Sequence, residues 1–578
     1  MNMKNKTVQY NAVPKIKRGR TRFHEPHSLL STIGTGKLYP VCAEEVYPGD
    51  SIYERLSCVL RGLTPKVPVM DNAFLDLHSF FVPNRLLWSH WEAFISGTGN
   101  PDEYTNPTEY NVPQIIFSGS FTAGQAITGS VADYLDYGYS SSSQGIGDLQ
   151  PMSALYPRAY VKVWNDWFRD ENLQQSAHLY TDDSDRYFSR AIGVAPTPLV
   201  SAELGGDLLP VSRFHDYFTS LLPQPQKAPP VLLPLGGSAP VSALAYLDRV
   251  PVTSGNGIPT RLNFTDSTGN SYNFTDLHNA KNDGLRGTLN TSASDTSGSP
   301  MYVSLSANGT ARVSGSVDLD SSSAADINRF RVAVATQQFY EQLARSGSRY
   351  QEALQGLFGV YATDSRLQRA EYLGGLREPI RNHQIASSTD NDDATLGTTG
   401  AFSFTSFNNR KNARKGFTEH GIYLVVACVR TSNTYAQGVP VKLSRRTRFD
   451  YYFPSFARLG EMPVYQSEIF NSVQSNSNNA LNVFGYKPAW QELRVRQNRC
   501  TGLMRPQSPL TLAQWNYARL FSSAPSLTSD FVTQSDTEVS RSLAVTDQPN
   551  AQWLLNIYFD TYLDRILTAD GVPGLLRL

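Results

Sequence analysis

Ser31 to Leu38 (STIGTGKL) holds the glycines and lysine of a phosphate-cradling loop, the first stretch whose residue types could do chemistry. Ser31 stands where the first glycine belongs, and Leu38 replaces the Ser/Thr that would hold magnesium. His24-Glu25-Pro26-His27 offers two imidazoles and a carboxylate, but Pro26 forbids the helical presentation that a zinc hydrolase needs. His215-Asp216 is half of a metal site with no second His/Asp cluster, and a structural histidine is the simpler reading. Asp390, Asp392 and Asp393 sit in a polar stretch where solvation explains them better than calcium binding. Cys42, Cys58, Cys428 and Cys500 are too widely spaced for a zinc pattern and read as reduced thiols. No G-x-S-x-G elbow is present. Carboxylate pairs for glycoside chemistry would meet only in the fold. The search therefore assigns no catalytic residue, no cofactor and no metal ligand, and it points to a structural or binding protein.

Charge is unevenly placed. Lys+Arg and Asp+Glu number 51 each, yet residues 1–22 hold Lys4, Lys6, Lys15, Lys17, Arg18, Arg20 and Arg22 and no acid. The rest of the chain carries 44 bases against 51 acids. A short basic arm with Pro14, Gly19 and little apolar periodicity is not a packed element. It reads either as an arm on nucleic-acid phosphates or as a solvated tail.

The elements that must position any site are mostly strands. Leu75, Leu77, Ser79 and Phe81 alternate with Asp76, His78 and Phe80, which predicts a half-buried strand ending at Pro83. Gly421 to Arg430 (GIYLVVACVR) predicts a strand buried on both faces, and Thr447 to Phe453 (TRFDYYF) an aromatic strand stopped by Pro454. Long connections between strands suggest a sandwich or barrel with expanded loops. Tyr160, Val163, Trp164 and Trp167 form one helical stripe, with Pro157 in the first turn. A second helix is expected from Asp326 as N-cap, with Ile327, Phe330 and Val334 on one face. No βαβ alternation is visible.

Residues 251–325 differ: 39 of the 75 are Gly, Ser, Thr or Asn. Val303, Leu305 and Ala307 alternate with polar residues before Asn308-Gly309, a type I′ turn signal, and Val313, Val317 and Leu319 alternate after it. An ordered, polar, β-rich insertion is expected, entered through a Pro-rich connector from Leu221 to Pro240. Ser387 to Asn412 reads as a second surface loop. The sequons at Asn263, Asn273, Asn290 and Asn308 are expected to be unmodified, because no signal peptide is seen.

Only 18% of residues are charged and 11% are aromatic, with a mean hydropathy of -0.34. That profile fits surface destined for burial against partners, and it excludes disordered, coiled-coil and membrane-spanning classes. Val69 to Asn84 (VMDNAFLDLHSFFVPN), continued by Arg85-Leu86-Leu87-Trp88 and Trp91 to Phe94, resembles the major capsid proteins of the Microviridae, the gokushovirus branch above all. Collinear matches follow at 160–173 (YVKVWNDWFRDENL), 215–227 (HDYFTSLLPQPQK), 366–375 (RLQRAEYLGG), 444–454 (SRRTRFDYYFP), 483–486 (VFGY) and around Trp515. Gln224 departs from the family's usual Trp.

The resemblance implies a mainly β protein, an eight-stranded antiparallel jelly roll of viral capsid type with long insertions and a few peripheral helices. Sixty copies would form a T = 1 icosahedral shell around circular ssDNA, built in the bacterial host cytoplasm and resident in the virion. The expected organisation is a basic arm at 1–22, jelly roll at 23–236, a spike insertion at 237–325 and jelly roll with a C-terminal extension at 326–578. The spike would trimerise at the threefold axes and serve host attachment, with Asn308 and Gly309 facing a receptor. The arm, Lys4 to Arg22, would lie inside, touching DNA or ordering neighbouring subunits. A small basic DNA-packaging protein, a scaffolding protein and a host receptor are the further partners implied. A jelly-roll carbohydrate-binding protein or enzyme and a minor spike protein are the alternatives. The first would need an export signal; the second predicts a dispensable arm.

Overall fold

The computed structural model describes residues 19–97, 110–190, 198–229, 327–386, 399–457, 459–471, 482–545 and 551–569, and the backbones of six strands between 239 and 317. Two compact units divide the chain: Met1–Lys227 with Tyr340–Leu578, and Ala228–Phe339.

The first unit is organised by one antiparallel sheet. Its strands, in chain order, are β1 (Thr21–His24), β2 (His27–Ile33), β3 (Tyr39–Val46), β4 (Ser51–Gly62), β5 (Ala73–Pro83), β6 (Glu371–Ala386), β7 (Thr399–Gly416), β8 (Gly421–Thr431) and β9 (Trp553–Arg565). Their order across the sheet is β1-β9-β4-β7-β6-β5-β8-β3, and β2 also pairs with β9. β1 and β2 occupy successive stretches of one edge of β9, so the sheet is eight strands wide. β6 joins its two halves, pairing with β5 through Ile380 and with β7 from Arg381 onward. Neighbours far apart in sequence, all antiparallel and curled about one core, make this the jelly-roll type of capsid fold.

Alternation builds the core. On β9, Trp553, Leu555, Ile557 and Phe559 point inward while Leu554, Asn556 and Tyr558 stay exposed. On β4, Ile52, Leu56, Cys58 and Leu60 face them, and Glu54 takes the same inward register. β8 is buried along nearly its whole length, as its unbroken apolar run requires. At the β6 bulge, Gly374 has φ +154°, and a Cβ there would meet the Asn412 carbonyl oxygen at 2.4 Å. Glycine alone fits that position.

β5 is more buried than its alternation implies. Asp76 is fully enclosed and Phe80 nearly so, because other segments cover the outer face. Helix α1 (Leu155–Val163) supplies part of that cover, extended by a π turn over Trp164–Phe168. The wider turn carries Trp167 over Phe80, with ring centroids 5.8 Å apart, while Trp167 Nε1 donates to Ala370 O at 2.8 Å. Tyr160 is buried, and its hydroxyl donates to Leu38 O at 2.8 Å.

Three expectations need correction. Residues 399–412 are not a loop: they form most of β7, paired with β4 and β6, and polar Ser403, Thr405 and Asn412 are buried in it, where Ser403 and Asn412 bond other polar side chains. Thr447–Phe453 is not a strand. Arg448–Asp450 is a 3-10 turn, with the Thr447 and Arg446 amides donating to Asp450 Oδ2 at 2.7 Å each. Helix α2 (Ile327–Ser346) forms, but Phe330 and Val334 on its expected inner face are exposed. Gln224, the departure from the family pattern, is exposed too.

The second unit is β-rich. Asn263–Thr265, Ser271–Phe274, Arg286–Asn290 and Pro300–Tyr302 form a four-stranded antiparallel sheet, and Ala311–Val317 pairs with Ala239–Ala245. Asn308 and Gly309 lie outside the described residues, and the strand after them takes 239–245 as its partner.

Candidate functional site

Most of the stretches first weighed for chemistry are packing elements. Gly36, in the phosphate-loop look-alike, has φ +86°; its amide donates to Val429 O at 3.0 Å, and a Cβ would strike Gln534 O at 2.2 Å. Gly34, Thr35, Gly36 and Leu38 are all buried, so their amides are not open to a nucleotide. His24 lies on Tyr562 with ring centroids 4.4 Å apart and reaches Asp560 at 2.7 Å. Asp216 Oδ1 accepts the Phe218 and Thr219 amides, and Oδ2 takes the Tyr435 hydroxyl at 2.7 Å, leaving no carboxylate oxygen for a metal beside His215. Cys42, Cys58 and Cys428 are buried and Cys500 half-buried. Burial pushes the Cys58 and Cys428 thiols up to about 12, so neither is a thiolate nucleophile. Asp390, Asp392 and Asp393 lie outside the described residues.

The outward face of β1, β9, β4 and β7 is different. Arg22, Arg55, Lys411, Arg414 and Lys415 line an open groove of about 790 Å³, together with Tyr53 and Tyr562 and a single acid, Asp564. Arg22 grips Asp564 with both ends of its fork, Nε to Oδ1 at 2.7 Å and Nη2 to Oδ2 at 3.0 Å. That contact, with the field of Arg20, holds the Asp564 carboxyl below the usual carboxylate range. Arg55 Nε donates to the Tyr53 hydroxyl at 2.7 Å, and Tyr53 and Tyr562 stand 6.4 Å apart between centroids. Lys415 pairs with Glu371 at 2.5 Å, but Lys411 and Arg414 have no ion-pair partner among the described residues. Two bulges, between Phe407 and Arg410 and between Lys411 and Ala413, re-aim β7, so that Asn412 and Ala413 turn inward and Lys411 and Arg414 outward. Clustered like charges on a rigid sheet repel one another and attract a polyanion. Tyrosine faces beside them suit unpaired bases.

Of the arm bases, Arg22 lines this groove and Arg20 lies near it, close to Gly49. Lys4, Lys6, Lys15, Lys17 and Arg18 lie outside the described residues. Sequence reasoning missed Arg55, Lys411, Arg414 and Lys415. The signal was there in Asn408–Gly416 (NNRKNARKG), four bases within six positions, hidden by reading the segment as a loop.

A second surface is apolar. Phe449, Tyr451, Tyr452 and Phe453 are all exposed, Phe449 at 60%. They are held firmly: Tyr452 meets the Trp490 ring edge-on at 5.4 Å, Trp490 Nε1 donates to Phe456 O at 2.8 Å, and Arg445 pairs with Glu492 at 3.2 Å. Four aromatics displayed on an ordered segment mark an interaction surface.

The chain matches the family model described as "Capsid protein (F protein)" over residues 11–575. It is 32% identical to capsid protein VP1 of Chlamydia phage 1, covering 100% of this chain and 98% of that protein. Capsid protein VP1 of Spiroplasma virus 4 is 33% identical, and that of Bdellovibrio phage phiMH2K 32%, each over 97% of this chain and 96% of the relative. A jelly-roll sheet with displayed aromatics, and relatives that match end to end, lead to one assignment: the chain belongs to the F-protein capsid family, as a major capsid protein of the gokushovirus-like Microviridae and not an enzyme.

Proposed function

We propose that the chain is the subunit of a T = 1 icosahedral shell of sixty copies, whose inner wall is the basic groove on β1, β9, β4 and β7 and whose cargo is circular ssDNA. The observation that carries this reading is the groove itself: five bases and two tyrosines against one acid, with the arm's last base, Arg22, among them. The arm, from Lys4 to Arg20, extends the same contact along the phosphates. A small basic packaging protein shares the DNA, and a scaffolding protein guides assembly in the host cytoplasm. The insertion at 237–325 forms the threefold spike that meets the host receptor, with the Asn308-Gly309 turn toward its tip.

The test is the salt dependence of ssDNA binding by the full chain and by a chain lacking residues 1–19. Each phosphate contact to a single strand contributes a slope of about 0.7 in log affinity against log salt. Deleting Lys4, Lys6, Lys15, Lys17 and Arg18 should lower the slope by roughly 3.5 and leave a remainder from the groove. A salt-independent affinity in both chains would remove DNA from both surfaces.

A further inference from the structure

β2 and β3 follow one another in the chain but lie at opposite edges of the sheet, β2 against β9 and β3 against β8. The sheet curls until these edges meet. At that seam Arg565, the last residue of β9, donates from Nη2 to the Glu45 carbonyl of β3 at 3.1 Å and from Nε to Asp50 Oδ2 at 3.0 Å. Three side chains of different chemistry converge beside it: His27 from β2, and Cys42 and Glu44 from one face of β3. Their ligand atoms all lie within 4.8 Å of one another.

The surroundings favour a cation. The three line a cavity of about 340 Å³ whose other charged groups are Glu25, Glu45 and Glu54 against Arg565 alone. Glu54 is buried, and its oxygens already accept from Tyr423 and Asn412 at 2.6 Å and from Thr561 at 3.2 Å, so it contributes field more than a free lone pair. The exposed His27 ring is oriented by stacking on Phe559, with centroids 4.6 Å apart, and can slide along that face. Its Nδ1 lies 3.3 Å from the Glu25 carbonyl oxygen, which can only accept; Nδ1 therefore carries the hydrogen and Nε2 the lone pair. A backbone carbonyl holding the distal nitrogen is the usual outer support of a metal-bound imidazole.

We propose that His27, Cys42 and Glu44 form a site for Zn²⁺ or a similar borderline-soft divalent cation, which clasps the two edges of the sheet. Thiolate with imidazole selects zinc over calcium or magnesium. Bonds of about 2.0–2.3 Å need the ligand atoms to close by roughly 1 Å, which the exposed His27 and Glu44 side chains can supply. Binding transfers the Cys42 thiol proton to solvent, so affinity rises with pH. Water fills the fourth position.

The experiment loads the full-length chain with Zn²⁺, removes excess by gel filtration and measures bound metal by mass spectrometry. Co²⁺ replaces Zn²⁺ for absorption spectra, and Tm is followed with and without metal. Expected results are one cation retained per chain, a sulfur-to-cobalt charge-transfer band, and a Tm raised by Zn²⁺. Cys42→Ser should lose the band, and His27→Gln and the exposed Glu44→Gln should each weaken binding by roughly 100-fold, at least the loss typical of outer-shell changes. No retained metal in the parent chain, or retention unchanged in the Glu44→Gln and His27→Gln variants, would overturn the site. A cobalt spectrum without the sulfur band would do the same even if Cys42→Ser failed to fold.

Discussion

Asp76 on β5 lies directly across the ladder from Arg377 on β6, and its Oδ1 takes the Arg377 Nε at 2.6 Å. Its other oxygen accepts from Arg430 of β8, with Nε at 3.0 Å. The ring of Phe214 backs both guanidiniums, 4.5 and 4.3 Å from its centroid. One fully buried carboxylate thus ties three adjacent strands, β6, β5 and β8. Asp76→Ala should cost about 3–5 kcal/mol, the range for breaking a buried pair from one side. Most of that loss falls on Arg430, because Arg377 is half exposed and can turn to water. Denaturant unfolding of the isolated subunit checks this; a loss under about 1 kcal/mol would mean that water replaces the carboxylate.

His78, two residues along the same strand, sets an acid limb of stability. Burial, helped by the charges of Arg430 and Arg377 and opposed by Asp76, pushes its imidazole from 6.5 down to about 4. The unfolded chain therefore binds the proton first as pH falls. The contribution is complete above pH 6.5, is lost progressively between 6.5 and 4, and is flat below. Its full size is at most about 3 kcal/mol. His78→Gln should lack this acid limb, so the parent's stability relative to the variant should fall by up to about 3 kcal/mol between pH 6.5 and 4, measured by chemical denaturation at several pH values. An unchanged difference from pH 7 to 4 would show that the imidazole titrates in water.

Lys411 and Arg414 are the sharpest probes of the basic groove, since neither has an ion-pair partner among the described residues and both are exposed. Lys411→Glu with Arg414→Glu should leave subunit stability within about 0.5 kcal/mol. The slope of ssDNA affinity against salt should fall by roughly 1.4 if each base contacts one phosphate. Particles built from the double variant should package less DNA. An unaltered slope would place the nucleic acid on another face.

What could be read in the sequence follows from where each side chain is buried. β8 and α1 were legible because their apolar residues are covered within the chain itself. β7 was hidden because the strand is apolar on its inner face only near Phe407 and Ala413, and its outer face is basic. Thr447–Phe453 misled in the opposite sense: its aromatics are exposed in the subunit, so an aromatic run that would mark a strand inside a monomer here marks a displayed surface. The seam of His27, Cys42 and Glu44 was hidden because its members meet only when the sheet curls; in the sequence His27 pairs with His24, and Cys42 is weighed only against the other cysteines. Hydrophobic periodicity in a shell protein records the assembled state, and the two kinds of burial look alike in one dimension.

That distinction is testable at Tyr451, Tyr452 and Phe453. Their backbone is fixed by the Asp450 turn; Tyr452 meets the edge of Trp490, Phe453 the edge of Phe456 with centroids 6.3 Å apart, and Tyr451 the Arg445 guanidinium at 5.5 Å, all at the subunit surface. Replacing Tyr451 and Phe453 with serine removes two exposed aromatic faces and leaves no cavity in the subunit. Unfolding of the dispersed subunit should therefore change by no more than about 1 kcal/mol, the size of the exposed contacts to Arg445 and Phe456. Assembly should suffer far more, because aromatic anchors at the centre of an interface each carry about 2 kcal/mol or more, repeated at every copy of the contact. Sedimentation of expressed protein should show small oligomers in place of shells. Normal shells from the double variant would assign these rings to the particle's solvent-facing surface, and a destabilised subunit would show that they pack within the chain after all.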